Sequence, residues 1–120
     1  MPTRKLVAEE LAEMLGVLAH PLRVRLVQEL RDGEHDVNDL VHRVEAAQSN
    51  VSQQLALLRT HRIVGQRREG RHVFYRLLHP ELASWLTGGL QFLQDAVEER
   101  AQVKHAIDEV RAIWTDSEES

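Results

Sequence analysis

Between Arg59 and Arg76 the chain carries six arginines (Arg59, Arg62, Arg67, Arg68, Arg71, Arg76) and one acid, Glu69. That stretch is +5 in a chain of formal net charge -4, so the remainder is -9. The charge is most lopsided at the other extreme: Asp95 to Ser120 holds eight acids and three bases. Guanidinium groups concentrated in an acidic protein suit local contact with a polyanion, with a solvated, ion-paired surface as the plainer alternative. Just ahead of the cluster runs Gln48-Ser49-Asn50-Val51-Ser52-Gln53-Gln54-Leu55. Val51 and Leu55 are apolar. The amides and hydroxyls of Gln48, Ser49, Asn50, Ser52, Gln53 and Gln54 can donate and accept at once, which is what reading base edges in a major groove requires. Taken alone, these side chains read equally well as solvent-facing helix surface. Taken with Arg59, Arg67, Arg68, Arg71 and His72 beside them, they read as a duplex-binding face in which the basic groups hold phosphates or the minor groove.

Other chemistries find little support. There is no cysteine, which excludes disulfides, thiolate metal sites, cysteine nucleophiles and thiol switches. At 4% aromatic residues, a stacking platform for single strands is not expected. Ser49 and Ser52 lack a carboxylate–histidine partner nearby, and neither Gly33 nor Gly88-Gly89 has the flanks of a phosphate loop, so no enzyme activity is expected. His20, ahead of Pro21, reads as a helix start. His105 and Asp108 are spaced i, i+3, as half of a metal site or as an ordinary solvated face. His61 and His72 lie in the basic region, where a histidine could make duplex contact pH-sensitive.

The elements that must position these groups follow from periodicity. Leu6, Leu11, Met14, Leu15 and Leu18 space as a helix over 5–18, and Pro21 opens a second with Leu22, Leu26, Val27 and Leu30. Asp36 reads as the N-cap of a third, with Asp39 in the capping-box position and Val37, Leu40, Val41 and Val44 as its stripe. Ser49 reads as the cap of a fourth, with Val51, Leu55 and Leu58 inward. The period then falls to two: a strand from Ile63 to Arg68, a three-residue connection Glu69-Gly70-Arg71, and a strand from His72 to Leu77. After His79-Pro80, an apolar stripe runs through Leu82, Leu86, Leu90, Leu93 and Val97 to Val103, Ile107, Val110 and Trp114. One helix of that length would reach about 50 Å, more than one small core can cover. It must break near 98–100, or bury its stripe against a second copy, and Gly88-Gly89 is a weak point within it. The expected architecture is mainly α with a small β-hairpin, a winged helix-turn-helix of order α-α-α-α-β-β-α with an extended C-terminal helix. Its 120 residues suit one domain, 5–114, for DNA binding and dimerisation, followed by a frayed acidic tail at 115–120. With no apolar run approaching 18 residues and no secretory-type start, a cytoplasmic protein without a membrane span is expected.

Three segments together resemble the ArsR/SmtB repressors. They are Leu18-Ala19-His20-Pro21-Leu22-Arg23-Val24-Arg25-Leu26-Val27, the run Gln48 to Arg59, and Ile63-Val64 followed by Arg67-Arg68-Glu69-Gly70-Arg71-His72-Val73-Phe74-Tyr75-Arg76-Leu77. The resemblance spans about residues 8 to 95. It implies a homodimer paired through the first and post-wing helices, bound to a double-stranded operator with inverted repeats and released by an effector. The resemblance also points to a metal site on the helix after the wing, at positions occupied here by His79, Glu81, Phe92 and Asp95. Imidazole and carboxylate would suit zinc, nickel or cobalt, but Phe92 cannot ligate, so no cofactor is the favoured expectation, with His79 instead capping the helix. Two other readings stand beside the repressor: a winged-helix protein-interaction module with an acidic partner, and an antitoxin-like regulator released by a partner protein.

Overall fold

A computed structural model describes residues 2–97 and 100–119; the side chains of Asp95 and of 116–119 also lie outside the described residues. Helix α1 spans Pro2–Leu18 and α2 Pro21–Glu29. Strand β1, His35–Asp36, leads into α3, Val37–Val44, and α4 covers Gln48–Thr60. The hairpin is β2, Val64–Glu69, and β3, His72–Leu77. The rest is helical: α5 Glu81–Gly88, α6 Leu90–Ala96 and α7 Ala101–Glu119. No helix among the described residues is long and apolar enough to cross a membrane.

The predicted stripes of α2, α3, α4 and the hairpin form the core, whereas Leu6, Leu11, Met14 and Leu15 of the α1 stripe and Leu93 after the wing are exposed. Leu26 and Val27 of α2, Leu30 just beyond it, Leu40 and Val44 of α3, and Val51, Leu55 and Leu58 of α4 form one buried cluster with Val64, Tyr75 and Leu77 of the hairpin. Pro21 begins α2, and the His20 ring accepts from the Leu22 amide at 3.2 Å, so His20 serves the helix start. Asp36 caps α3, accepting from the Asn38 amide at 2.6 Å. Asp39 does not complete that cap; it turns to His35 (2.8 Å) and Arg43 (2.9 Å).

Four expectations need correction. Helix α4 starts earlier than Ser49: Ala47 is its N-cap, Val51 donates to the Ala47 carbonyl at 3.0 Å, and no side chain caps it. Glu69 pairs with His72, so the hairpin loop is two residues, Gly70-Arg71, with Gly70 at φ +60° where a II′ loop takes glycine. The sheet has a third strand, because His35 and Asp36 pair with Tyr75 and Phe74 to give the order β1-β3-β2. The segment from 115 expected to fray is instead helical to Glu119, while the long stripe breaks where it was expected to be weak, at Gly88-Gly89, and again after Val97. Two adjacent glycines forfeit about 1 kcal/mol each of helix propensity, and a β-carbon at Gly89 would stand 3.1 Å from the Leu86 carbonyl oxygen. Helix α7 folds back on its own chain. Arg111 donates to Gln94 at 3.1 Å, Val97 and Ile107 are buried, and Val110, Ile113 and Trp114 lie beside Arg25, Gln28 and Glu29 of α2.

Asp36 supplies the first testable consequence. The Asn38 amide, then His72, holds its carboxyl below the usual aspartate value against an opposing desolvation. Because the folded pKa lies below the unfolded one, the stabilisation is complete above the unfolded value and fades as pH falls through the folded value. Asp36→Ala is expected to cost about 1 kcal/mol at neutral pH. Thermal melts should show that gap closing below about pH 4, and a gap unchanged down to pH 2.5 or so would contradict it.

Candidate nucleic-acid interface

Alternation along a strand decides which arginines can act together. The register pairs Val64 with Leu77, Gln66 with Tyr75 and Arg68 with Val73, so one face of the hairpin is buried at its root and carries Gln66 and Arg68 toward α4. There a cleft of about 210 Å³ is lined by Gln48 and Ser52 of α4, Gln66 and Arg68 of β2, Arg71 of the loop and Asn38 of α3. Helix-borne amide and hydroxyl groups and wing-borne guanidinium groups thus meet at one opening.

Arg67 points the other way. Its guanidinium forms a fork with Glu34 (2.7 and 3.1 Å), meets Glu69 at 2.6 Å and lies 4.6 Å over the Phe74 ring. The hydrogen bond from Arg67, opposed by desolvation, holds the Glu34 carboxyl low, and Glu34 and Glu69 push Arg67 further up. His72 shares that outer face and its Nδ1 meets Asp36, tying the wing to the start of α3. The arginines therefore do not form one basic face. Arg68 and Arg71 reach the cleft, Arg67 and Arg76 take the opposite side of the hairpin, and Arg59 sits near the far end of α4, about three turns from Gln48.

Within α4, Gln48, Ser49, Asn50, Ser52 and Gln53 are exposed. Gln54 is half-buried and engaged: its Oε1 accepts from Arg23 at 2.8 Å and its Nε2 donates to Asn50 at 3.1 Å, so α2 sets its position. Asn38 and Gln66 were missed from sequence. Gln66 could have been found, since it alternates with Val64 and Arg68; Asn38 reaches the cleft only through the packing of α3 against the wing.

Among the described side chains the metal positions do not assemble. His79 and Glu81 are exposed and 3.6 Å apart, Phe92 is 73% exposed, and the Asp95 side chain lies outside the described residues. His79 does not cap α5, whose N-cap is Pro80 with no side-chain bond. His105 pairs with Glu109 at 3.2 Å. Among the described residues no group of three or more histidine or acidic side chains is placed to hold a metal ion, so no step is assigned to one.

A tri-helical core, a helix-turn-helix of α3 and α4, and a hairpin beside α4 define a winged-helix DNA-binding fold. Residues 20–65 match the model of the bacterial regulatory proteins of the arsR family. The chain is 40% identical over 83 residues to a biofilm growth-associated repressor of Agrobacterium fabrum (69% of this chain, 71% of the relative). It is 38% identical over 94 residues to the biofilm growth-associated repressor of Xylella fastidiosa (78% and 82%). The crystal structure of the transcriptional repressor BigR from Xylella fastidiosa superposes with a TM-score of 0.67 at 34% identity, covering 76% of this chain and 93% of that one. The chain belongs to the ArsR/SmtB family and is a transcriptional repressor, not an enzyme.

Proposed function

We propose that two copies of this chain bind an inverted-repeat operator, with α4 in successive major grooves and the wing along the flanking backbone. The observation that carries this reading is the cleft shared by Gln48 and Ser52 with Arg68 and Arg71. Gln48, Ser49, Asn50, Ser52 and Gln53 approach base edges, and Gln54, held by Arg23, orients Asn50. The uncapped start of α4 leaves amides for a phosphate. Arg68 and Arg71 hold the backbone, with Arg59 from the end of α4. His72 and Arg67, engaged with Asp36, Glu34 and Glu69, brace the wing. The dimer face is the apolar surface of α1, with Leu6, Val7 and Leu11, together with Phe92 and Leu93 of α6; all are exposed in the single chain. Residues 5–114 then act as one DNA-binding and dimerisation unit, and an effector loosens the complex by shifting the spacing of the two α4 helices.

Selection from random duplex, repeated at two salt concentrations, tests this. A palindrome with half-sites one turn apart, roughly 34–36 Å, should emerge, with affinity falling steeply in salt. Enrichment of no sequence would overturn it. The split between the arginines has its own signature. Arg68→Gln should flatten the dependence of log K on log salt by about one unit across all sequences. Arg67→Gln should leave the slope unchanged, and an equal flattening for both would put Arg67 back on phosphate.

A further inference from the structure

A second concavity, of about 390 Å³, opens between α1, the turn from α4 into β2, and α5. That volume lies in the range of small-molecule sites, about 300–1,000 Å³. Its walls are apolar: Met14 from α1, Ile63 from the turn, and Leu82 and Trp85 from α5. Its rim is polar, with His61, Arg62 and the His79–Glu81 pair.

Arg62 is the unusual member. It holds φ +58°, in the left-handed region, and closes α4 through bonds from its own amide to the Arg59 carbonyl (3.0 Å) and from Ile63 to Leu58 (2.9 Å). Glycine normally fills this position of a helix C-terminus, and a residue with a β-carbon is strained there. Among the described residues neither the Arg62 guanidinium nor the His61 ring has a hydrogen-bond or ion-pair partner, while Glu81 has its own in His79. An unopposed guanidinium thus stands at the mouth of an apolar pocket, on a backbone that does not favour an arginine.

We infer that this pocket binds a small aromatic carboxylate that regulates operator binding. The carboxylate takes the Arg62 fork in bidentate fashion, and the ring lies against Trp85 and Met14. The turn that carries Arg62 and Ile63 joins the two DNA-facing elements, α4 and β2. Met14 lies on α1, the helix whose apolar surface is assigned to a second copy, and Trp85 on α5, one helix ahead of α6. A ligand that bridges them binds the two arrangements of turn and helices unequally, and so shifts the balance between them. Operator affinity should fall 5- to 150-fold, the usual range of coupling between two sites. This inference rests on the operator reading above.

The test uses the full chain with benzoate, phenylacetate and 1-naphthoate as probes and benzyl alcohol as the uncharged control. Calorimetry should show saturable binding of at least one carboxylate, one per chain, at least tenfold tighter than the alcohol. The same probe should weaken binding to the selected operator. Arg62→Gly relieves the backbone strain, so its melting temperature should stay level or rise while probe binding disappears. Arg62→Gln keeps the strain, removes the charge, and should also lose the probe. No saturable heat from any of the three carboxylates, or equal binding by both variants, overturns the proposal. If the ligand-free protein shows no operator preference, the DNA reading has failed, and the calorimetry still judges the pocket by itself.

Discussion

Leu11→Glu is expected to leave the subunit folded but monomeric, and to weaken operator binding by roughly 10²- to 10⁴-fold, the advantage that linking two half-site contacts supplies. The subunit should survive because α1 contributes only Val17 and Leu18 to the core, whereas Leu11 is 50% exposed and Leu6 and Val7 are more so. In the proposed dimer a second copy covers this apolar surface of α1. A carboxylate placed there would have to be desolvated on pairing. Sedimentation should show one chain where the unmodified protein shows two, and circular dichroism should be unchanged. A persistent dimer with full affinity would put the contact elsewhere on the surface.

Leu55→Ala is expected to cost 2–5 kcal/mol of folding free energy, roughly the range found for leucine truncations in well-packed interiors. Leu55 is fully buried and lies midway along α4, the helix that packs against both α3 and the wing. A void beneath α4 cannot close without moving Gln48 and Ser52 relative to Arg68, so collapse of the cavity and correct presentation of the cleft compete. Urea denaturation monitored at fixed pH measures the first effect. Operator titration at a temperature where the variant remains folded measures the second, and full stability in urea would contradict the assigned role.

What could be read from sequence was what repeats at short range. Val51, Leu55 and Leu58 declared the inward side of α4, Asp36 declared the start of α3, and the alternation Val73, Tyr75, Leu77 declared the wing, because each signal lives within a few residues. The capping side chain at Ser49 was a false signal: the carbonyl of Ala47 had already begun the ladder, and helix starts are set by backbone geometry as much as by a favourable hydroxyl. Strand β1 was invisible because two residues carry no period, and they become a strand only when Tyr75 and Phe74 arrive from forty positions away. The arginines were misgrouped for another reason. Arg67 and Arg68 are neighbours in sequence and opposites in space, and a count of charge does not know which neighbour has an acid waiting for it. Glu34, which holds Arg67, lies 33 residues upstream. At the C-terminal end the weak point at Gly88-Gly89 was legible, while the return of α7 over α2 depended on Val97 and Ile107 finding burial.

In the proposed operator complex, strand β1 also limits which sites can be recognised. His35 and Asp36 pair with β3 on one side and run directly into α3 on the other, so hairpin and helix pair are joined by a strand with no intervening loop. The joined unit behaves as a caliper. It tolerates a changed letter in the stretch it spans better than an inserted one, because an extra base pair between the steps touched by α4 and the phosphates touched by the loop shifts one contact by about 3.4 Å and rotates it around the duplex.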